Sequence, residues 1–320
     1  MSATYIAENG VTKEIQKLYD VENGLTKKIK KLYKVENGIT NKIFEEMEVI
    51  GYTGDYTVTD VMVGTAPYKL YTLTSSGTLT LGEDTEYWMC AGGNAGANGV
   101  KPEKYQNYNP GDGGGGGNIM SGILSAGTHT VTIGAGASSS KGKGGATSIG
   151  SISIANSSYK NGASGGGAAM QRDNNRAPEP TYYTVGKGAN KSTIPFDGRI
   201  TSGFDNRKHS PGGGGGMHQY TIKTDYSPST TTKGGTGGSN GGDGGIPSVS
   251  NTIHTVTSAS GGSYGGGKGG ALGNGGNGSF YGAGSGGGSS YYSLYNSSSL
   301  TKGYSCGKAY QGVAYLLIPA

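Results

Sequence analysis

The chain has 320 residues, 66 of them glycine, and a formal net charge of +5. Basic residues are scattered among acidic ones and form no basic stripe, so nucleic-acid binding is not expected. No apolar run approaches the roughly 18 residues of a membrane span, and the N-terminus lacks the apolar region of a secretory signal. Neither membrane insertion nor secretion is therefore expected.

Residues 1–48 contain a 14-residue repeat, with the copies AENGVTKEIQKLYD (7–20), VENGLTKKIKKLYK (21–34) and VENGITNKIFEEME (35–48). Apolar residues spaced by threes and fours would suit an amphipathic helix or coiled coil. The recurring Asn-Gly pair instead favours tight turns and is costly inside a helix. We favour short strands joined by Asn-Gly turns and stacked as a β-repeat. The segment is expected to be an attachment or oligomerisation stalk, with a flexible charged leader as the alternative.

The next residues are rich in β-branched and aromatic side chains, which predicts strands. Residues 49–65 are expected to form a connecting strand before a single domain at 66–320. Within that domain, β segments are predicted at 68–82, 86–91, 119–133 and 147–155. The apolar run QGVAYLLIPA at 311–320 predicts a buried strand,. We expect it to pair with 86–91, which would bring the two ends of the domain together.

Glycine runs separate these segments, for example GDGGGGG at 111–117, SPGGGGG at 210–216 and GGSYGGGKGG at 261–270. A collagen helix would need glycine at every third residue and abundant proline, but the chain has only 10 prolines. Because glycine has no Cβ, glycine chains in a three-residue-per-turn helix can approach closely and hydrogen-bond laterally. The runs therefore predict a bundle of such helices held by backbone hydrogen bonds.

The order of these motifs resembles a known family. YTLTSSGTLTL, EYWMCAGGNAGANG and SGILSAGTHTVTIGAGASSSKGKGGATSIGSISIAN resemble the glycine-rich domain of bacteriophage tail fibres and receptor-binding tip proteins. A related domain occurs in the ectodomain of the anaplastic lymphoma kinase receptor. The resemblance covers about residues 66–320 and implies an all-β fold, a β-sandwich scaffold with a polyglycine-II helix bundle. It also implies variable loops at the far end that contact a host.

Tyrosine is the side chain best suited to recognition in the segments between the glycine runs. The chain has 23 tyrosines against 4 phenylalanines, and binding loops combine Tyr with Ser, Gly and Asn because the ring offers contact area at low entropic cost. Covering the glycine bundle is the alternative role for these residues. The candidate receptor-binding residues are Tyr105, Tyr108, Tyr182, Tyr183, Tyr220, Tyr226, Tyr291, Tyr292 and Tyr295.

Catalytic and metal-binding patterns are weak. Two G-x-S-x-G matches, at Ser239 and Ser263, are expected by chance in a chain so rich in Gly and Ser, and neither lies between a predicted strand and a helix. The histidines lack metal-ligand spacing. We therefore expect no enzyme activity, no metal and no cofactor. Cys90 and Cys306 could pair if their strands are neighbours, but two free thiols are favoured.

These features predict a virion protein, a tail fibre or tail-tip adhesin that is extracellular after host lysis. It would bind a host cell-surface glycan or protein through its loops and contact other tail proteins through residues 1–48. A homo-oligomer is expected, with a trimer favoured. The alternative is a structural virion or filament subunit whose loops contact neighbouring subunits, and a hydrolytic tail protein is a remote third.

Overall fold

The computed structural model describes the chain in part. Residues described with their side chains are 50–100, 111–159, 193–216, 265–270, 273–289 and 303–320, and several further strands are described as backbone. The described part contains no α-helix; its regular elements are strands and one short turn, Pro195–Gly198. The expected all-β class is therefore confirmed.

Three β-hairpins precede the main domain. Their strands are β1 (Tyr5–Glu8), β2 (Val11–Glu14), β3 (Leu18–Glu22), β4 (Leu25–Ile29), β5 (Lys31–Glu36) and β6 (Ile39–Glu45). Each consecutive pair is antiparallel, and in each the closing partners are a Glu and an apolar residue that flank Asn-Gly in the sequence. Strands joined across Asn-Gly, rather than a helix, are therefore confirmed for the 14-residue repeat.

Two sheets form the body of the domain. Their strands are β7 (Ile50–Tyr52), β8 (Tyr56–Val63), β9 (Ala66–Leu73), β10 (Gly77–Leu81), β11 (Thr85–Cys90), β12 (Ile119–Leu124), β13 (Gly127–Thr132), β14 (Thr147–Ile149), β15 (Ile152–Ile154), β17 (Ile200–Ser202) and β23 (Val313–Pro319). The five-stranded sheet has the order β15-β14-β13-β10-β7, and the six-stranded sheet has the order β12-β11-β23-β9-β8-β17. Residues 49–65, expected to connect the stalk to the domain, supply one strand to each sheet.

The remaining strands lie outside these two sheets. They are β16 (Ala169–Gln171), β18 (Met217–Ile222), β19 (Ile246–Val249), β20 (His254–Thr257), β21 (Ser290–Tyr295) and β22 (Ser298–Gly303). Four of them form a sheet of order β16-β18-β21-β22, and β19 pairs with β20.

The two main sheets share one apolar core, an arrangement compatible with a β-sandwich. From the six-stranded sheet come Leu73, Met89 and Leu316, and from the five-stranded sheet come Leu79 and Val131, all buried in one cluster. The side chains of successive residues in a strand point to opposite faces of the sheet. Each strand that contributes to this core therefore has a second face to cover.

The six-stranded sheet is buried on both faces at its centre. β11 and β23 pair in antiparallel register, which confirms the predicted pairing of the chain's last strand with 86–91. Trp88, Cys90 and Tyr315, on the face away from the sandwich core, belong to a second buried cluster. This is why the apolar run at the chain's end is continuous rather than alternating.

Residues 193–210 cover part of this second cluster. These residues belong to a largely polar segment that precedes the glycine run at 210–216, yet Phe196 and Ile200 are buried against the sheet, and β17 pairs with β8. In the turn Pro195–Gly198, Phe196 and Asp197 have φ of 53° and 54°, a left-handed conformation that costs a non-glycine residue energy. Burial of the Phe196 ring holds the turn in place.

The glycine-rich segments pack side by side in an array, and residues 282–289 run through its centre. Hydrogen bonds with N···O distances of 2.7–3.2 Å join this segment to six others. Its N–H groups donate to 94–97, 211–214 and 273–276, and its carbonyls accept from 111–117, 267–270 and 304–310. Each neighbour is reached at every third residue, as with Gly284 and Gly287, which donate to Pro211 and Gly214.

The same period of three holds along residues 91–99. The N–H groups of Ala91, Asn94 and Ala97 donate in turn to the carbonyls of Asn118, Gly115 and Asp112, so this neighbouring segment runs antiparallel to 91–97. Gly92 and Ala95 donate to Gly145 and Gly142 of another. A β-strand has a period of two and two lateral neighbours, so these segments are extended but do not form a pleated sheet.

Close approach is the reason for glycine in the array. A Cβ added to Gly286, Gly287 or Gly288 would lie within 3.0 Å of backbone atoms of a neighbouring segment. Backbone conformation requires glycine at fewer of these positions, since among the array glycines described only Gly265 and Gly282 have left-handed φ. The composition of these runs is therefore set by packing of backbone against backbone.

Buried polar side chains complete the array where backbone partners are missing. Asn94 Oδ1 accepts a hydrogen bond from Gly144 N–H at 3.0 Å, and Ser285 Oγ accepts from Gly96 N–H at 3.0 Å. Asn156 Nδ2 donates to a backbone carbonyl at 2.7 Å. Buried peptide groups need such partners because a buried N–H or C=O group without a hydrogen bond costs about 1–3 kcal/mol.

Candidate functional site: the far end of the glycine array

The array has two ends of different character. At the near end its segments continue directly into the two main sheets, after β11 and β13 and before β12, β14 and β23. At the opposite end, Gly99 N–H donates to the Tyr304 carbonyl and Tyr304 N–H to the Ser289 carbonyl, both at 2.9 Å. Gly111 N–H donates to the Gly288 carbonyl at 2.9 Å. We call this opposite end, where residues 99, 111, 216, 289 and 304 meet, the far end.

A four-stranded sheet continues the array at the far end. β18 follows Gly216, β21 follows Ser289, and β22 ends just before Tyr304. The array segments that lead into β18 and β21 run parallel, and so do these two strands, while β21 and β22 are antiparallel. The far-end sheet is thus held by segments that are hydrogen-bonded inside the array.

The structure brings four of the nine predicted tyrosines into this far-end sheet. Tyr220 lies on β18, and Tyr291, Tyr292 and Tyr295 lie on β21. Tyr220 and Tyr292 are register partners. The other five lie outside the described residues: Tyr105, Tyr108, Tyr182, Tyr183 and Tyr226.

The described residues that flank segment 101–110, which contains Tyr105 and Tyr108, lie at the far end. Gly99 and Gly111 on either side are both fixed by array hydrogen bonds. Val100, the last described residue before the segment, is 57% exposed. The ends of this tyrosine-containing segment are therefore anchored beside the far-end sheet.

Side chains fix the backbone around the far end. Asn98 Oδ1 accepts a hydrogen bond from Cys306 N–H at 2.9 Å, and Asn274 Oδ1 accepts from Ser305 N–H at 3.1 Å. Ser289 Oγ accepts from Gly273 N–H at 2.7 Å and donates to the Gly273 carbonyl at 2.9 Å. These side-chain hydrogen bonds hold neighbouring array segments together next to the far-end sheet.

An aromatic cluster around His209, at the near end of the array, was not predicted from the sequence. His209 is buried among Trp88, Phe204, Phe280, Tyr281 and Tyr315. Its Nδ1 lies 2.9 Å from the Arg207 carbonyl, so it donates, and its Nε2 accepts from the Tyr315 hydroxyl at 2.7 Å. The aromatic residues are separated by up to 227 positions in sequence, so no local pattern could reveal them.

Burial sets the ionisation of this cluster. It lowers the pKa of His209 to about 3, although the hydrogen bond to the Arg207 carbonyl acts in the opposite direction. Burial also raises the pKa of Tyr315 well above its usual value. Both rings are therefore neutral near pH 7, and they act as a fixed hydrogen-bonded pair that ties residues 193–210 to the six-stranded sheet.

The two cysteines are free thiols. Burial raises the pKa of Cys90 to about 12, against the lowering effect of its hydrogen bond with Ser210. The Ser210 hydroxyl has no nitrogen or oxygen partner among the described residues. Burial also raises the pKa of Cys306. Neither thiol has the lowered pKa of a nucleophilic cysteine.

The described residues contain neither a candidate metal site nor a candidate membrane-spanning helix. Within them, no three His, Cys, Asp or Glu side chains are grouped so that they could hold a metal ion. The same residues include no helix with the length and apolar character needed to cross a membrane. Ser239 and Ser263, the G-x-S-x-G serines, lie outside the described residues.

No protein-family model, curated protein or solved structure matches this chain. Function is therefore inferred from the site alone.

Proposed function

We propose that this protein is a bacteriophage tail-fibre or tail-tip adhesin that recognises a host cell surface through its far end. The observation that carries the proposal is the convergence of tyrosine-containing segments at one end of a hydrogen-bonded array. Tyr220, Tyr291, Tyr292 and Tyr295 share one sheet there, and Gly99 and Gly111, on either side of segment 101–110, are hydrogen-bonded beside it. Recognition residues are commonly presented in this way, on loops and edges of a rigid scaffold.

We infer that the array is a polyglycine-II helix bundle. The period of three along residues 91–99 and 282–289 supports this, since the helix has three residues per turn and no internal hydrogen bonds,. Each segment must then satisfy its backbone groups through its neighbours. The six partner segments around 282–289 meet that requirement.

The hairpins β1–β6 are proposed to attach and oligomerise the protein in the virion tail. An isolated two-stranded hairpin is at best marginally stable in water. Pairing with copies of the same repeat in other subunits, with a trimer favoured, would supply the missing contacts. Other tail proteins are the proposed partners of the assembled segment. A chain lacking residues 1–48 should keep the thermal unfolding of the main domain and become monomeric by light scattering. An unchanged oligomer would contradict this role.

Binding at the far end is proposed to involve no bond making or breaking. Several weakly binding tips on one virion, which is extracellular after lysis, would gain affinity through multivalency. The ligand would be a host surface glycan or protein, with neither metal nor cofactor required.

Cell labelling tests the function directly. The full chain, fluorescently labelled, is incubated with a panel of bacterial strains alongside a variant in which residues 290–303 are replaced by a short Gly-Ser linker. We expect labelling of a subset of strains by the full chain and at least tenfold less by the variant. Labelling of no strain, together with burial of the far end against other subunits in the assembled particle, would support the structural-subunit alternative.

A further inference from the structure

Three Asn-Gly dipeptides lie in the described part of the glycine array, and none of them forms a turn there. They are Asn98-Gly99, Asn274-Gly275 and Asn277-Gly278. In each, the asparagine is exposed and the glycine is buried. In the N-terminal repeat the same dipeptide lies between paired strands, so in the array it must have a different role.

Close packing requires the glycine of each dipeptide. A Cβ added to Gly99, Gly275 or Gly278 would lie within 3.0 Å of backbone atoms of the central segment 282–289. A residue with a side chain would therefore displace one of the segments. The array cannot avoid the Asn-Gly sequence by replacing these glycines.

Asn274 and Gly275 bind one residue of the neighbouring segment from two sides. Asn274 Oδ1 accepts a hydrogen bond from the Ser305 N–H at 3.1 Å. The Gly275 N–H donates to the carbonyl of the same Ser305 at 2.9 Å. We call such a pair of bonds, one from the asparagine side chain and one from the following N–H, an Asn-Gly clamp.

The clamp recurs with the period of the array. Three residues later, Asn277 Oδ1 accepts from the Lys308 N–H and the Gly278 N–H donates to the Lys308 carbonyl, both at 2.8 Å. The dipeptide at Asn98 makes the corresponding bonds to the N–H of residue 306 and the carbonyl of residue 304, both at 2.9 Å. All three clamps therefore hold the segment 304–308.

Asn-Gly is also the sequence most prone to deamidation, because glycine has no Cβ to hinder attack by its nitrogen. That nitrogen forms a bond to the asparagine Cγ and gives up its proton, while the side-chain amide leaves as ammonia and a succinimide ring closes. Water then opens the ring at either carbonyl and yields aspartate or isoaspartate. Isoaspartate adds the β-carbon to the main chain, so the residues beyond it would lose the register that the array requires.

We propose that Asn98, Asn274 and Asn277 are deamidation sites that the Asn-Gly clamps hold closed. In a clamp, the attacking N–H and the side-chain carbonyl under attack are both hydrogen-bonded to the neighbouring segment, so they are held apart. Reaction requires local opening, and its rate follows the fraction of molecules that are open. Protection thus comes from hydrogen bonds and not from exclusion of water, since the asparagine side chains are exposed. The inference does not depend on the proposed adhesin function.

Peptide mapping by mass spectrometry tests the proposal on the full chain. The protein is incubated at pH 8, folded and in guanidinium chloride, and aspartate plus isoaspartate is quantified at each asparagine over time. We expect deamidation at the three sites to be at least about thirtyfold slower in the folded chain, because two hydrogen bonds must open at each site. Rates within threefold of each other in the two states would overturn the proposal.

Lys308→Pro opens one clamp and keeps the others. Proline removes the N–H that Asn277 accepts from but retains the carbonyl, and its φ suits an extended helix with three residues per turn. Deamidation at Asn277 should rise at least about tenfold, whereas Asn274 in the same chain should keep its wild-type rate. Lys308→Ala is the matched control, because it retains the N–H and should leave both rates unchanged.

Each other outcome of the variants counts against the clamps. A wild-type rate at Asn277 in Lys308→Pro would show that its hydrogen bond gives no protection. Equal rises at Asn277 and Asn274 would assign the protection to the array as a whole and overturn the role of the individual clamp. A similar rise in Lys308→Ala would attribute the effect to loss of the lysine side chain.

Discussion

Replacing Gly287 with alanine would test whether the array is held by close backbone packing. The new Cβ would lie within 3.0 Å of backbone atoms of Gly111 and Asp112. These are main-chain atoms, so a rotamer change cannot relieve the clash, and a segment must move. Gly287 N–H donates to the Gly214 carbonyl at 2.9 Å, and its carbonyl accepts from Gly270 N–H at 2.8 Å. Both bonds would be stretched by that movement.

The magnitude follows from two effects. Overpacking a dense interior costs about 1–3 kcal/mol, and each weakened hydrogen bond costs about 1 kcal/mol. We therefore expect Gly287→Ala to lower the free energy of unfolding by about 3–5 kcal/mol, measured by urea denaturation. Gly51→Ala is the matched control, because a Cβ on this β7 glycine meets nothing within 4 Å, and it should change stability by less than about 1 kcal/mol. Similar stabilities for the two variants would refute the packing argument.

Three further predictions concern buried groups. Because the pKa of His209 is lower in the folded protein (about 3) than when unfolded (about 6.5), the unfolded state binds the extra proton and stability should fall as pH drops through this window,. When the pH is lowered from 6.5 to 4.5, the free energy of unfolding of His209→Gln should fall by about 2–3 kcal/mol less than that of the wild type. Parallel pH profiles of the two proteins in urea denaturation would contradict this. A disulfide-exchange reagent at pH 8 should modify Cys306 slowly and Cys90 only after unfolding, since Cys90 is fully buried with a pKa raised to about 12; rapid reaction of both thiols would show that the core opens. Asn94→Ala should cost about 2–4 kcal/mol in thermal or urea unfolding by leaving buried backbone groups unpaired,, while Asn94→Asp, which keeps the acceptor, should cost less than the alanine variant.

The strands that the sequence predicted well are those with strong local signals. The run at the chain's end pairs with β11 as expected, because an apolar stretch buried on both faces has few alternatives in a glycine-rich chain. Asn-Gly marked the boundaries between the paired strands of the repeat for a similar reason, since the pair outweighs the helical spacing of the apolar residues,. In both cases the information lies within a few neighbouring residues.

Long-range relations were not accessible in the same way. A β segment was predicted at 68–82, but the two strands within it, β9 and β10, belong to different sheets, which the residue pattern of the segment does not specify. Phe196 and Ile200 are isolated apolar residues in a largely polar segment, and two residues are too few to define a hydrophobic period that would mark them as core. Their burial depends on a sheet face built from residues far along the chain.

For the candidate site, composition indicated the residue type and the structure supplied the arrangement. An excess of tyrosine over phenylalanine can be read directly from the sequence, whereas the partnership of Tyr220 with Tyr292 depends on β18 and β21 being adjacent. That adjacency follows from the parallel packing of residues 211–216 and 282–289 within the array. Glycine runs alone do not define which run lies beside which.

A scaffold held by main-chain hydrogen bonds separates the stability of the protein from the chemistry of its tip. Gly99 and Gly111 are fixed whatever lies between them, because their bonds are made to Tyr304 and Gly288 rather than to residues 101–110. The entropic cost of closing a loop grows only slowly with its length, by about 0.6 kcal/mol per doubling. Insertions and substitutions between such anchors should therefore cost the array little. In the proposed adhesin, the tip can therefore change its ligand while the array that supports it stays the same.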